Sequence, residues 1–467
     1  MVLALIGDHP YFWYSSILWW GCFPKTSAEE KWEKMSDMFT EEGVSRRSVL
    51  KGTVAGAGAL AAGGLVSAGT ASSADAAGAK KVSVGSNQSD PAARKNDLAW
   101  VAAAKTAGFD VKLNTVDHNT FQNQINSYLQ GTPDDVFTWF AGYRMQFFAK
   151  KGLATSISDV WKKIAPNFSA GYKNASTGLD GKQYFIPTTW YPWAIMYRKS
   201  VFKAAGVDPA TIVTWADFIN ACKTFQSKGI TPVALGDKGG WEAMGTFDFI
   251  NFRTNGFKFH MDLTAGRAKW TDPRVQKTFA NWATMFPYQN NNVLDLAWDG
   301  AAQLVLQKKA AMQVMGAFHA SIYTDPADLA DLALFAFPEI TPAYGREAVE
   351  APIDGYMLSK HASKNLANAK SLAEFISSDK YGKAVLAVAP TALFANNKMP
   401  KPSDPFALSQ VNLVNGCKYI AQFFDRDSRP DFAGTIFQSA LQKFLGGGDP
   451  KAIATDLQQQ WDALPPA

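Results

Sequence analysis

Residues 81–139 indicate the fold, and they read KVSVGSNQSDPAARKNDLAWVAAAKTAGFDVKLNTVDHNTFQNQINSYLQGTPDDVFTW. Apolar and polar residues alternate in the short segments that predict strands, and longer segments typical of helices lie between them. The predicted strands are 81–85, 109–113 and 135–139, and the predicted helices are 100–107 and 121–129. This strand-helix-strand-helix-strand order favours a parallel α/β sheet, whose ligands bind at the carboxyl ends of the strands.

The composition is that of a globular chain long enough for two or three domains. Of the 467 residues, 47% are hydrophobic and 19% are charged, which allows a large buried core. The net charge is +5, from 46 basic and 41 acidic residues that form no dense Lys/Arg block. Nucleic acid is therefore not an expected partner, because phosphate binding requires clustered positive charge.

Cysteine and histidine usage argues against a metal centre or a dense disulfide framework. Cys22, Cys222 and Cys417 lie far apart, so at most one disulfide, Cys222 to Cys417, could form after export. The five histidines are scattered, and the chain has no nucleophile elbow, HExxH motif or P-loop. We therefore predict no metal, no cofactor and no catalytic residues.

An export leader precedes the predicted sheet. Arg46 and Arg47 form a twin-arginine motif, and residues 52–74 after it contain no charge. Small residues then follow at the positions that a signal peptidase reads. We assign 45–79 to a twin-arginine signal peptide and 1–44 to an upstream extension, which predicts an exported protein. The alternative is a membrane span, since the uncharged stretch exceeds about 18 residues.

The rest of the chain contains a series of short segments in a characteristic order. They are GTPDDV at 131–136, GKQYFIP at 181–187, AIMYRK at 194–199, TWADF at 214–218, KAAMQVMG at 309–316, IDGY at 353–356 and AEF at 373–375. In this order they resemble the extracellular solute-binding proteins of family 1, the maltose-binding-protein-like group, over nearly all of residues 80–467. The resemblance implies an extracellular or periplasmic monomer, not an enzyme, that binds a carbohydrate and delivers it to ABC permease subunits.

The resemblance also implies a periplasmic-binding-protein-like fold of two discontinuous α/β lobes joined by a three-segment hinge. The N-lobe would comprise residues 80–190 with 351–395, and the C-lobe residues 191–350 with 396–467. Pro187 is predicted to end its strand where the chain first crosses between the lobes.

Polar candidates for a sugar site follow predicted strands or lie at a predicted hinge crossing. A sugar presents hydroxyl edges and apolar faces, so its site needs amides or carboxylates together with aromatic platforms. The alternatives at these positions are a helix cap, a turn or a surface arginine. The polar candidates are Asn87, Gln88, Asp90, Tyr143, Arg144, Asp354 and Gly355. By contrast, we interpret Asp299 and the run 425–427 as solvated surface.

Aromatic candidates lie at the first crossing and in two later loops. Trp190 and Tyr191 are at the crossing, where they could instead pack across the hinge. Trp241 and Glu242 follow two glycines, which predicts a loop tip with a stacking ring rather than a core position. Phe318 lies where members of the family often have Trp, so a smaller ring would stack there, with core packing as the alternative.

Two other classes of function remain open. A secreted carbohydrate-active enzyme would need a pair of carboxylates in a cleft, and acidic residues are plentiful, although none lies in a recognisable catalytic motif. A binder of glycerol-phosphate, polyamine or metal could use the same fold.

Overall fold

Strands and helices alternate along the chain in the computed structural model, which describes residues 78–465. The strands are β1 (Lys80–Ser86), β2 (Phe109–Thr115), β3 (Val136–Phe140), β4 (Ala154–Thr155), β5 (Phe185–Trp190), β6 (Trp193–Arg198), β7 (Thr231–Ala234), β8 (Ala310–Gly316), β9 (Leu332–Phe335), β10 (Ala348–Glu350), β11 (Ile353–Ser359), β12 (Leu393–Phe394) and β13 (Tyr419–Ala421). Arg46, Arg47 and the predicted extension 1–44 lie outside the described residues.

The α-helices differ widely in length. They are α1 (Pro91–Thr106), α2 (His118–Asn123), α3 (Ile125–Gln130), α4 (Tyr143–Lys150), α5 (Ser158–Ile164), α6 (Ala170–Ala175), α7 (Lys199–Ala205), α8 (Trp215–Ser227), α9 (Glu242–Asn255), α10 (Phe257–Thr264), α11 (Pro273–Ala283), α12 (Trp298–Leu306), α13 (Pro326–Asp331), α14 (Leu366–Ile376), α15 (Asp379–Leu386), α16 (Pro405–Asn415), α17 (Phe424–Asp427), α18 (Gln438–Leu445) and α19 (Pro450–Ala463). Short 3-10 turns occupy Ala165–Asn167, Pro209–Thr211, Phe286–Tyr288, Ala317–Ile322 and Lys360–Asn365, and a π-helical turn occupies Phe432–Phe437. Among the helices of residues 78–465, none combines the length and the apolar character of a membrane span.

The first sheet confirms the predicted parallel arrangement for β1, β2 and β3, whereas β11 is antiparallel to β3, β4 and β5, and β12 is antiparallel to β5. Strand β1 pairs in parallel with both β2 and β3, and the sheet has the order β12-β5-β11-β3-β1-β2, with β4 beside β11. Helix α1 joins β1 to β2 and begins earlier than predicted. The predicted helix 121–129 is instead two short helices, α2 and α3, that meet at Gln124. Helix α2 begins where the Asp117 carboxylate accepts the main-chain N–H of Thr120, a local capping bond.

The second sheet has the order β7-β8-β6-β9. Strands β7 and β8 are parallel, whereas β6 is antiparallel to both β8 and β9. Every residue of β6 and β8 is buried, as expected for strands that are covered on both faces. Helix α8 beside this sheet begins with a capping box of Thr214 and Asp217, which confirms the predicted N-cap. Strands β10 and β13 form a separate parallel pair.

The described chain passes between the two sheets three times. It runs from β5 to β6 through Tyr191 and Pro192, and from β10 to β11 through Ala351 and Pro352. After β12 it continues into α16, which packs beside β9 of the second sheet. The first sheet is therefore built from segments on either side of the second sheet in the sequence, and the chain returns to the second lobe after β12, which gives the molecule its two-lobe architecture.

Pro187 does not end its strand, and this prediction is wrong. Strand β5 continues to Trp190, and its register against β11 shifts between Asp354 and Gly355. A proline lacks the N–H that a regular ladder needs, and an irregular register accommodates it. The strand therefore reaches the crossing itself, with Trp190 at its last position.

The first sheet separates two hydrophobic clusters. Val136 and Phe137 are neighbours on β3 but belong to different clusters, because successive side chains of a strand point to opposite faces. A third cluster surrounds the second sheet. Cys222 in this cluster is buried and Cys417 is half-buried, and both are free thiols. The disulfide that the sequence allowed is therefore not formed.

Candidate functional site

Polar side chains follow β1 at the carboxyl edge of the first sheet. The main-chain N–H of Asn87 donates to Thr138 Oγ1 at 3.0 Å, and Thr138 Oγ1 donates to Asn87 Oδ1 at 2.9 Å. Gln88 Nε2 also donates to Asn87 Oδ1, at 3.2 Å. Asn87 is 1% exposed, and its Nδ2 has no partner among the described residues. This amide donor is thus held at a strand end where parallel sheets bind ligands.

Asp90 connects the two lobes directly. Trp298, the first residue of α12, donates its indole N–H to Asp90 Oδ2 at 3.2 Å. Asp90 precedes α1 of the first lobe, whereas α12 packs on β7 and β8 of the second. We call the interlobe site the region where the carboxyl edges of β1 and β3 face those of β7 and β8. The bond between Asp90 and Trp298 crosses this site.

Aromatic rings occupy the second-lobe side of the interlobe site. Trp241 and Phe318 follow β7 and β8, and their ring centroids lie 6.3 Å apart. Phe318 meets both Tyr191 and Trp298 edge to face, each with 5.0 Å between ring centroids. From the first lobe, the His118 ring faces Trp241 at 6.1 Å. Half-buried rings of this kind offer flat apolar surfaces to a ligand that enters between the lobes.

Glu242 is buried, so the predicted loop tip is wrong for this residue. It is 1% exposed, begins α9, and accepts the main-chain N–H of Trp298 on Oε1 at 3.2 Å. The Asp237 carboxylate interacts with it and accepts the main-chain N–H of Ala243 at 2.9 Å. Burial raises the pKa of both acids, and the charge of Asp237 raises the pKa of Glu242 further.

A second connection between the lobes lies beside the hinge crossings. Arg426 Nη1 is 2.9 Å from Asp354 Oδ1 of β11, and Arg426 Nη2 donates to the Tyr191 hydroxyl at 3.1 Å. Arg144 of α4 forms a further ion pair with Asp425, with 3.0 Å between Nη1 and Oδ2. Helix α17 is therefore held to the first sheet by a half-buried charge pair and to α4 by a buried one.

The run 425–427 is not solvated surface, and that prediction is wrong. Asp425 and Arg426 are each 6% exposed. Arg144, for which a surface arginine was the alternative, is 4% exposed and also donates to Gln122 Oε1 at 2.6 Å. Charged residues are mostly exposed in folded proteins, which is why the sequence predicted surface here. They can be buried where an opposite charge and hydrogen bonds accompany them.

Two further predicted site residues have packing roles, and a third, Tyr143, is half-buried at the first position of α4. Trp190 packs against the hydrophobic clusters of both lobes, which corresponds to the hinge-packing alternative. A Cβ atom on Gly355 would lie 2.0 Å from the Ile186 carbonyl oxygen, so the approach of the neighbouring strand explains this glycine. Contact of any of the twelve predicted residues with a ligand stays a prediction.

Three residues of the site were missed from the sequence, namely His118, Asp237 and Trp298. Burial lowers the pKa of His118, whose Nδ1 lies 3.3 Å from the Asn87 carbonyl oxygen. The available signal was position, because His118 follows β2 and Asp237 follows β7 at carboxyl ends. Nothing local marks Trp298, whose partner Asp90 is 208 residues away. Within residues 78–465, no three His, Cys, Asp or Glu side chains are placed to hold a metal ion.

Two lobes, three chain crossings, and polar and aromatic side chains that face one another between the lobes define a two-lobed binding protein. The family model of the bacterial extracellular solute-binding proteins matches residues 92–383. The chain belongs to this family. Family membership confirms the resemblance identified from the sequence and the periplasmic-binding-protein-like fold.

Known proteins similar to this chain are solute receptors. The bacterial solute receptor AcbH, which has an exclusive substrate preference for β-D-galactopyranose, is 38% identical with a TM-score of 0.78, over 82% of this chain and 98% of that chain. An uncharacterized ABC transporter extracellular-binding protein of Pyrococcus horikoshii is 29% identical over 189 residues, 40% of this chain and 43% of that protein. A probable sugar-binding periplasmic protein of Mesorhizobium japonicum is 26% identical over 203 residues, 40% of this chain and 46% of that protein. The chain thus spans somewhat less than half the length of these two curated relatives.

Proposed function

We propose that this chain is the exported solute-binding component of an ABC importer. It binds a carbohydrate between its two lobes and delivers the sugar unaltered to a membrane permease. The observation that carries the proposal is that Trp241 and Phe318 lie together on one lobe, while His118 on the other lobe contacts both Trp241 and Asn87, whose buried Nδ2 has no partner among the described residues. The likeness to AcbH supports a hexopyranose of the β-D-galactopyranose type as the first ligand to test.

The side chains of the interlobe site suit the two surfaces of a sugar ring. The rings of Trp241 and Phe318 would pack on its apolar face, and Asn87, Gln88 and Asp90 would bond its hydroxyl groups. Aromatic contact supplies most of the affinity in such sites, whereas the few polar groups fix orientation and specificity.

The charges beside the hinge favour a neutral ligand. Arg426 pairs with Asp354, and Arg144 pairs with Asp425. A phosphate would have to break these pairs or bind without a strong counter-charge, and both are costly away from water. A neutral sugar is therefore a better candidate than glycerol-phosphate.

The lobe boundaries are proposed from the membership of the two sheets. The N-lobe comprises 80–190 with 351–395, and the C-lobe comprises 191–350 with 396–467. The first set carries β1 to β5, β11 and β12, and the second carries β6 to β10 and β13. A monomer that opens and closes about the three crossings is the functional unit.

Export is proposed through the twin-arginine route. The extracellular place of the family supports export, and Arg46 and Arg47 before an uncharged stretch support this particular route. Removal of residues 45–79 together with the upstream extension would then release the mature chain near its first strand.

A thermal-shift panel over sugars, polyols, metal ions and amines tests the proposed function. A ligand that binds the native state raises the melting temperature by mass action, so a neutral sugar should give the largest shift. Chromatography of the recovered sugar should show it unchanged. A sugar that is hydrolysed would support the enzyme alternative, and a shift with polyamine or glycerol-phosphate alone would contradict sugar transport.

A further inference from the structure

The loop between β7 and α9 brings two acidic residues into the interior of the second lobe. Asp237 and Glu242 are 0% and 1% exposed. One oxygen of each carboxyl group accepts a main-chain N–H. Ala243 donates to Asp237, and Trp298 donates to Glu242. The remaining oxygens, Oδ2 and Oε2, have no donor among the described residues, and a hydrogen bond between the two interacting carboxyl groups would satisfy both oxygens. Such a bond requires a proton on one of the two acids.

The absence of a side chain at Gly239 lets the loop backbone lie close to both the Trp241 ring and the Glu242 carboxyl group. A Cβ atom on Gly239 would lie 2.9 Å from Trp241 Nε1 and 3.0 Å from each carboxyl oxygen of Glu242. The Asp237 carbonyl oxygen accepts Gln442 Nε2 at 2.8 Å. Because the loop is fixed in this way, separation of the two carboxyl groups would displace the Trp241 ring.

Glu242 also fixes the start of α12. The main-chain N–H of Trp298 donates to Glu242, and the Trp298 carbonyl oxygen accepts Gln313 Nε2 at 3.3 Å. The indole of the same residue donates to Asp90 of the other lobe. A continuous series of contacts therefore runs from Asp237 through Glu242 and Trp298 to Asp90.

We infer that Asp237 and Glu242 are positioning residues whose shared proton holds Trp298 where its indole bonds Asp90 and stabilises the closed lobes. Glu242 then acts on sugar binding through Trp298 and not by contact with the sugar. The inference rests on the proposed function in one measurement only, the affinity for sugar. The pH dependence of the melting temperature without ligand depends only on the contacts of the loop between β7 and α9.

Deprotonation should weaken this arrangement as the pH rises. Burial raises the pKa of both acids above their values in the unfolded chain, which are about 4. When the pKa of an acid is higher in the folded than in the unfolded chain, the free energy of unfolding is highest below the unfolded-chain pKa. It then falls as the pH rises through the folded-chain pKa. Titratable groups on the same loop and the neighbouring elements are Lys238, Asp295, Asp299 and Lys443, with Asp90 and His118 on the first lobe. Of these, His118 has its pKa lowered by burial, so it stays neutral above about pH 6.5. Helix α9 also carries Asp248, and Glu350 and Asp427 lie on elements packed against it; burial raises the pKa of these three acids in the wild type and in the variants alike.

The test compares Glu242→Gln with the wild type in two measurements, from about pH 5 to about pH 9. These are the melting temperature without ligand and the dissociation constant for D-galactose, a sugar that does not titrate in this range. The amide keeps an acceptor for Trp298 and a donor for Asp237 but has no proton to lose. We expect both profiles to be flatter than in the wild type, with affinity at low pH within about threefold of it.

Two further variants complete the design. Glu242→Leu removes both hydrogen bonds and should weaken D-galactose binding by about tenfold or more at every pH. Glu374→Gln is the matched control, because Glu374 lies at the surface beside Lys163 and its profiles should follow the wild type. If the leucine variant does not fold, the glutamine variant still decides the question.

Each outcome has a distinct meaning. Parallel melting profiles for the wild type and Glu242→Gln would overturn the inference. The inference would also be overturned if Glu242→Gln lost as much affinity as Glu242→Leu while its melting temperature stayed normal. That result would show that Glu242 contacts the sugar. If the wild type binds no D-galactose at any pH, the proposed ligand is wrong, whereas the melting profiles still test the shared proton.

Discussion

Replacement of Trp241 by alanine tests the proposed stacking platform. The half-buried ring lies among His118, Trp193 and Phe318, with 6.1 to 6.4 Å between ring centroids. It precedes α9 without a side-chain capping bond, so the substitution removes ring surface and no helix cap. Loss of an aromatic anchor costs about 1–3 kcal/mol of binding free energy, which weakens the dissociation constant by about 5- to 150-fold.

The assay is isothermal calorimetry with D-galactose on the wild type, Trp241→Ala and Trp241→Phe. Phenylalanine keeps a smaller stacking face, so its affinity should fall between the other two. Trp215→Ala is the matched control, because Trp215 stacks on Phe218 and Phe337 within the second lobe at 5.0 and 5.7 Å. It should lower the melting temperature without changing affinity. If Trp241→Ala binds within about twofold of the wild type, the reasoning about this platform is wrong.

Three other predictions concern the hinge, the first sheet and export. Arg426→Met should lower the free energy of unfolding by about 3–5 kcal/mol, because it leaves Asp354 without its buried partner. Adding Asp354→Asn should recover part of this loss in urea denaturation, and no recovery would refute the pairing. Gly355→Ala should lower the free energy of unfolding by at least about 1–3 kcal/mol, since its Cβ would lie 2.0 Å from a carbonyl oxygen of β5; an unchanged urea midpoint would contradict this. Replacing Arg46 and Arg47 by lysine should leave precursor in the cytoplasm, and undiminished secretion would count against the twin-arginine route.

Local patterns were sufficient to predict the three parallel strands of the first sheet and one helix boundary. Strands β1, β2 and β3 were predicted from alternation, and Thr214 was predicted as a helix cap from its own neighbours. Both depend on residues close in sequence. The end of β5 was predicted wrongly. Pro187 stays within the strand because the register between β5 and β11 shifts there, and the sequence around Pro187 gives no sign of that shift.

The partners of the interlobe residues could not be predicted in the same way. Asp90 and Trp298 are 208 residues apart, and Arg144 and Asp425 are 281 residues apart. Their contacts form only when both lobes are folded and adjacent, so no local pattern records them. The charged run that includes Asp425 therefore resembled surface, although its ion pairs are buried.

Small-angle scattering with and without D-galactose tests most directly whether this chain is a two-lobed sugar receptor. A ligand that contacts both lobes favours the closed form over the open form, and the hinge crossings permit that change. We predict a smaller radius of gyration at saturating sugar than without it. An identical radius of gyration in the two samples, with binding verified by calorimetry, would contradict capture of the sugar by lobe closure.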